Sequence, residues 1–136
     1  MLDPQTVAYP EYRGNGVMSS LGNISENPHV GLMFIDFSGD RIGLHVNGNA
    51  RIVENDEFAQ LLRGQSDTGA VPAASDSANG SSPSVERWIV VSVRDAFIHC
   101  SKHVPTMQKV EREVQWGTDD PRAKGGDYFG VASGQK

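Results

Sequence analysis

Residues 12–37, YRGNGVMSSLGNISENPHVGLMFIDF, decide how this chain folds. They read as a loop, a short helix, a turn and then an apolar strand. Arg13 stands in a loop punctuated by Gly14 and Gly16, whose backbone N–H groups can approach an anion. Ser19 and Ser20 are helix N-cap residues, and Leu21 and Ile24 recur one turn apart. Asn27-Pro28 ends the helix, because a residue before proline is pushed out of the α region. Val30 to Ile35 is apolar with no polar alternation, the pattern of a strand covered on both faces. A cation, free amides and hydroxyls at one helix start make a phosphate site. Its candidates are Arg13, Asn15, Ser19 and Ser20, with Asn23 one turn further along the same surface. A polar loop with an ordinary cap and a solvated arginine is the alternative that these residues leave open.

Moving towards the C-terminus, Asp36 to Asp40 reads as a turn in which Gly39 can take positive φ. Arg41 to Glu54 then alternates, with Ile42, Leu44 and Val46 on one side and Gly43, His45 and Asn47 on the other. Gly48 interrupts the run and marks a bulge or bend. The spacing predicts an antiparallel pair, Val30–Asp36 with Arg41–Glu54, the second strand bent. Asn55 is placed to cap a helix from Asp56 to Arg63, acidic at its start and basic at its end, with Phe58, Leu61 and Leu62 as its apolar side. Residues 64–84 are Gly, Ser, Ala, Pro, Asp and Thr with almost nothing to bury, and read as a flexible surface loop. Trp88 to Val93 is a second confident strand, which Phe97 to Cys100 extends or follows after Arg94-Asp95. Lys109 to Gln115 reads as a short helix. Residues 116–136 read as a loosely packed tail anchored by Trp116, Tyr128 and Phe129. Towards the N-terminus, Thr6 to Tyr9 is a short β-prone run entered through a turn at Asp3-Pro4-Gln5.

The bounds are consistent with this reading. A chain of 136 residues suits one domain with a modest core. Fifteen glycines, seven prolines and 38% apolar residues favour a loop-rich, mainly β protein over a helix bundle. A net charge of −5 argues against nonspecific binding to nucleic acid or to an acidic membrane. No apolar run approaches the ~20 residues that span a bilayer, and the basic-then-apolar pattern of a signal peptide is absent. The single cysteine, Cys100, excludes an internal disulfide and suits a reducing cytoplasm.

A second polar cluster follows the last strand: His99, Cys100, Ser101, Lys102 and His103. If extended, it puts His99, Ser101 and His103 on one face and Cys100 with Lys102 on the other. His99, Cys100 and His103 are competent metal ligands, but His29 and His45 are isolated and no second pair supports a metal site, so none is assigned. Cys100 as a nucleophile would need a positioned base, and a small half-buried side chain is the simpler reading. His45 reads as satisfied locally. No paired carboxylates, dinucleotide fingerprint or Ser-His-Asp logic stands out.

The order of a loop with Arg13 and the serines, a short helix, Asn27-Pro28 and an apolar strand resembles the pyridoxamine 5′-phosphate oxidase-related split barrels, which bind FMN. The run Arg41-Ile-Gly-Leu-His-Val-Asn-Gly48 resembles that family's next strand. Phe97-Ile-His-Cys-Ser-Lys102 resembles a segment of several uncharacterised flavoprotein branches. The resemblance covers the chain to about Val104. It implies a mainly β fold (β-barrel), an antiparallel FMN-binding split barrel with short peripheral helices, in a single domain over residues 1–136. The family's upstream hairpin has no counterpart, so a barrel incomplete at the N-terminus is expected; a fragment, a misassigned start and a minimal variant all stay open.

For function, the resemblance implies FMN as cofactor and a homodimer, in which Arg13, Asn15, Ser19, Ser20 and Asn23 hold the flavin phosphate. Ser101 and Lys102 would reach the flavin, across a dimer interface. The family's lysine before the helix has no clear counterpart. The arginine and histidine motif that grips substrate in the true oxidases is not recognisable in residues 116–136, so pyridoxamine phosphate is not assigned as substrate. A flavin-dependent oxidoreductase of unassigned substrate is the leading expectation. A non-catalytic flavin, deazaflavin or haem binder, and a truncated cofactor-free domain, are the alternatives.

Overall fold

The alternation of residues 43–53 makes one strand the middle of an antiparallel sheet. The computed structural model describes residues 2–14, 16–64, 85–111, 118, 120, 122–123, 125–126 and 129–130. In it β1 (Thr6–Tyr12), β2 (His29–Ile35), β3 (Gly43–Val53) and β4 (Val85–His99) form a single curled half-barrel sheet in the order β1-β4-β3-β2. Every pairing is antiparallel. Two helices, α1 (Ser19–Glu26) and α2 (Asn55–Arg63), and a 3₁₀ turn at Ser101–His103 complete the order. This is the mainly β, split-barrel architecture that the sequence predicted.

Side-chain parity explains the two cores, since alternate residues of a strand point to opposite faces. On one face, Ala50, Ile89 and Val91 pack with Ile24 of α1, and Tyr9, Leu21, Val30, Leu32 and Ile52 close around them. On the other face, Val53 and Val90 pack with Phe58 of α2, joined by Ala8, Leu61, Leu62 and Trp88. Phe58 stacks on Trp88 with ring centroids 3.9 Å apart. The helix α2 carries Asp56 and Glu57 in its first turn and Arg63 in its last, as its dipole prefers. Its N-cap is Glu54, and Asn55, expected to cap it, is instead its first residue and donates to the Val85 carbonyl at 3.0 Å.

Gly48 sits at the bend, as its place in the strand predicts. Asn47 pairs with Asp95 and Gly48 with Val93, so the extra residue is Arg94, on the opposing strand. The bulge lets β4 continue through Arg94-Asp95 as one strand of 15 residues, where the sequence suggested two segments.

Further expectations change. β2 is an edge strand of the described sheet, not one covered on both faces: Val30 and Leu32 turn inwards, while Met33 and Phe34 are half exposed. α1 is preceded by Met18 in a left-handed conformation with no side-chain cap, so Ser19 and Ser20 are its first residues and not its caps. Residues 101–103 form a 3₁₀ turn, so His99, Ser101 and His103 do not share the face of one extended strand. Asn15, the proposed loop beyond Gly64, Trp116, Tyr128 and most of the helix proposed for 109–115 lie outside the described residues.

Candidate functional site

The loop from Arg13 to Met18 is built from left-handed turns. Gly14, Gly16 and Met18 all take φ between 53° and 79°, and the Gly16 N–H donates to the Arg13 carbonyl at 2.8 Å. Glycine reaches such angles without steric cost, but the Gly16 N–H, which the sequence offered to an anion, is engaged within the loop. The loop feeds into α1, whose first turn carries no acidic residue and receives no cap from Met18. Ser19 and Ser20 are exposed there, as is Asn23, one turn on and on the same side of the helix. Arg13 is exposed at the other end of the loop. Arg13 follows β1, and Ser19, Ser20 and Asn23 stand on α1, joined to it by this loop. Burial pushes the Tyr9 phenol above its ordinary range, and Glu11 adds to the effect.

Ser101 and Lys102 lie elsewhere. Tyr12, next to Arg13, pairs with Val85 at the start of β4, whereas Ser101 follows its end at His99. A strand of that length spans roughly 45 Å when straight, and its curl shortens this only in part. Arg13 and the pair Ser101 and Lys102 therefore lie towards opposite ends of β4.

The far end of the sheet carries a feature the sequence did not expose. A groove of about 220 Å³ opens there between β2, the turn at 36–42 and the segment after β4. Three imidazoles line it, His45, His99 and His103, together with the side chains of Met33, Ile35 and Phe37. Val104 and Pro105 form its remaining wall. His45 lies parallel to Phe97, with centroids 4.8 Å apart and planes 5° from parallel, and is tilted against His99 at 5.4 Å. Gly43 makes the close approach of His99 possible, since a Cβ at Gly43 would lie 3.2 Å from the His99 Cβ.

The rims are tied: Met107 N–H donates to the Phe37 carbonyl at 3.0 Å, and Asp36 N–H to the Ile42 carbonyl at 2.9 Å. Asp36 itself closes the turn. Its carboxylate accepts from the Gly39, Ser38 and Asp40 amides and from the Ser38 hydroxyl, which lowers its pKa to about 2. Sequence reading missed the groove because it depends on register: His45 meets Phe97 only because β3 and β4 pair that way. The one usable signal was the spacing of Phe97 and His99, two residues apart on a strand.

Cys100, expected from the sequence to be buried or half-buried, is instead exposed just past the end of β4. Among the described residues no three His, Cys, Asp or Glu side chains converge as a metal set. Among them, too, no helix is long and apolar enough to cross a membrane.

A curled antiparallel half-barrel, with a short helix packed on one face behind a glycine-rich loop, is the architecture of flavin-binding split-barrel proteins. The comparison with known families agrees. The model of the pyridoxamine 5′-phosphate oxidase family matches residues 1–100, and the chain belongs to that family, whose members generally bind flavin. No curated protein and no solved structure matches it.

Proposed function

We propose that this chain is an FMN-binding flavoprotein that works as a homodimer and serves as a flavin-dependent oxidoreductase. The observation that carries this reading is the loop of left-handed turns at Gly14, Gly16 and Met18, leading into an uncapped helix start beside Arg13. Uncapped first-turn amides, the helix dipole and a guanidinium all favour a phosphate dianion, and the described first turn has no carboxylate to oppose it. Arg13 would supply charge and paired donors, Ser19 and Ser20 hydroxyl donors, and Asn23 a side-chain amide. Asn15 belongs to the same group by its place in the sequence.

Ser101 and Lys102 are too far along β4 to join this group within one chain. In a two-fold dimer they would come from the second copy. One feature supports that arrangement. The end of the sheet next to them leaves Phe34, Leu44 and Ile98 uncovered on the face opposite the groove. An exposed apolar face at a sheet end is what an interface covers. Bound flavin supplies hydride or electron transfer; this chain holds its phosphate, orients it and excludes water around it.

Adding FMN to the purified protein tests the reading. Stoichiometric uptake, seen as a perturbed flavin absorption band and quenched flavin fluorescence, is expected. A folded protein that takes up no FMN overturns it. Reduction of the bound flavin by a nicotinamide donor separates an oxidoreductase from a binder without turnover.

A further inference from the structure

We infer that the groove lined by His45, His99 and His103 is a binding site for a small aromatic anion, a single ring carrying a carboxylate. The inference does not depend on flavin binding. Size sets the first limit. At about 220 Å³ the groove is smaller than the roughly 300–1,000 Å³ that encloses a drug-sized ligand, so it suits one ring and not a flavin tricycle. Its walls set the second. Met33, Ile35, Phe37, Val104 and Pro105 give an apolar slot, and a thioether packs well against an aromatic edge. His45 lines the slot and is held flat by its parallel stack on Phe97, which leaves an imidazole against which another ring can pack.

Charge sets the third. Among the described residues, the groove's only side chains with hydrogen-bond donors are imidazoles, and no carboxylate lines it. The acid nearest in sequence, Asp36, spends both oxygens on the amides of its own turn. A carboxylate can accept from imidazole N–H groups, a pairing that a neutral hydrocarbon ring cannot offer. A metal ion is not the occupant, because the three imidazoles do not converge as ligands among the described residues. The hydrogen bonds from Met107 to Phe37 and from Asp36 to Ile42 hold the rims, so the groove needs no rearrangement to form.

Salicylate is the probe, with neutral salicylamide as its isostere, added to the full chain without FMN. The four histidine ring Hε1 resonances are followed by NMR. Salicylate is expected to shift the His45, His99 and His103 resonances saturably and to leave His29, which the groove does not include, unmoved. Salicylamide should bind at least about fivefold more weakly, the worth of a charge-assisted hydrogen bond. The exposed His103 can be removed without touching either core, and His103→Ala should weaken salicylate by about fivefold or more. Absence of saturable shifts, equal movement of all four histidines, equal affinity for salicylamide, or unchanged affinity in His103→Ala would each overturn the proposal.

Discussion

Gly48 of β3 lies against the backbone carbonyl of Ser92 in β4, with no room for a side chain between them. A Cβ on Gly48 would drive into the Ser92 carbonyl oxygen and lie 2.7 Å from the Val91 Cγ1. The obstacle is backbone, held by the ladder on both sides, so it cannot swing away as a flexible side chain would. Gly48→Ala is therefore expected to destabilise the fold by about 2–3 kcal/mol, the usual cost of forcing a methyl group into a packed site. Urea denaturation of the two proteins would show it as a lowered midpoint with little change in slope. An unchanged midpoint would mean that β4 yields at the bulge.

How far this was legible in the sequence varies with the range of the interaction. Gly48 was visible as a break in an alternating strand, but the extra residue, Arg94, was not, because a bulge is a property of two strands and the sequence shows one at a time. Arg94-Asp95 read as a break for the same reason. Local signals did better. The apolar spacing of Phe58, Leu61 and Leu62 with acid before and base after gave α2 to within a residue. The apolar run Val30–Ile35 was read as a doubly covered strand, yet hydrophobicity reports only that something should cover it, not that this chain does. The candidate site divides along the same line. Arg13, Ser19 and Ser20 are neighbours in sequence and could be read together; the distance of Arg13 from Lys102, and the meeting of His45 with Phe97, depend on strand register.

Phe58 is the peg that fixes α2 to the sheet. It is 3% exposed and stacked on Trp88. Truncation to alanine removes most of its buried ring and the paired aromatic contact, so Phe58→Ala should cost about 3–5 kcal/mol. Arg51, which joins Glu57 of α2 at 2.6 Å with both side chains half exposed, offers the contrast. Arg51→Ala should change stability by less than about 1 kcal/mol, as exposed ion pairs generally do. Equal losses in the two variants would show that charge, and not the aromatic stack, holds the helix.

Asp36 makes the turn at the groove's rim sensitive to acid. Its folded pKa, about 2, lies below the ordinary 3.8 because three amides and a hydroxyl donate to the ionised form. A depressed carboxylate contributes stability that is complete above the unfolded value and is lost as pH falls through the folded one. Wild type should therefore exceed Asp36→Asn in stability by a constant margin above about pH 5, and that margin should shrink between about pH 4 and pH 2. Thermal melts of both proteins across this range measure it. A gap that stays the same at low pH would show that the turn is held by geometry alone, with no contribution from the charge.

The separation of Arg13 from Lys102 along β4 allows a test of how the proposed flavin site is completed. In a two-fold dimer each site would take Arg13 from one copy and Lys102 from the other. Arg13→Ala and Lys102→Ala should each weaken FMN by on the order of tenfold to a hundredfold, since each removes a charged partner of the phosphate or ring. When the two variants are unfolded together and refolded, half of the dimers should be mixed. Each mixed dimer has one site lacking both residues and one site with both intact. About a quarter of all sites should then regain wild-type affinity, visible as a tight phase in FMN titration. If each site draws both residues from the same copy, every site in every mixed dimer stays defective and no tight phase returns. Recovery is specific to a site shared between copies, so this experiment reads the architecture of the site separately from the strength of either contact.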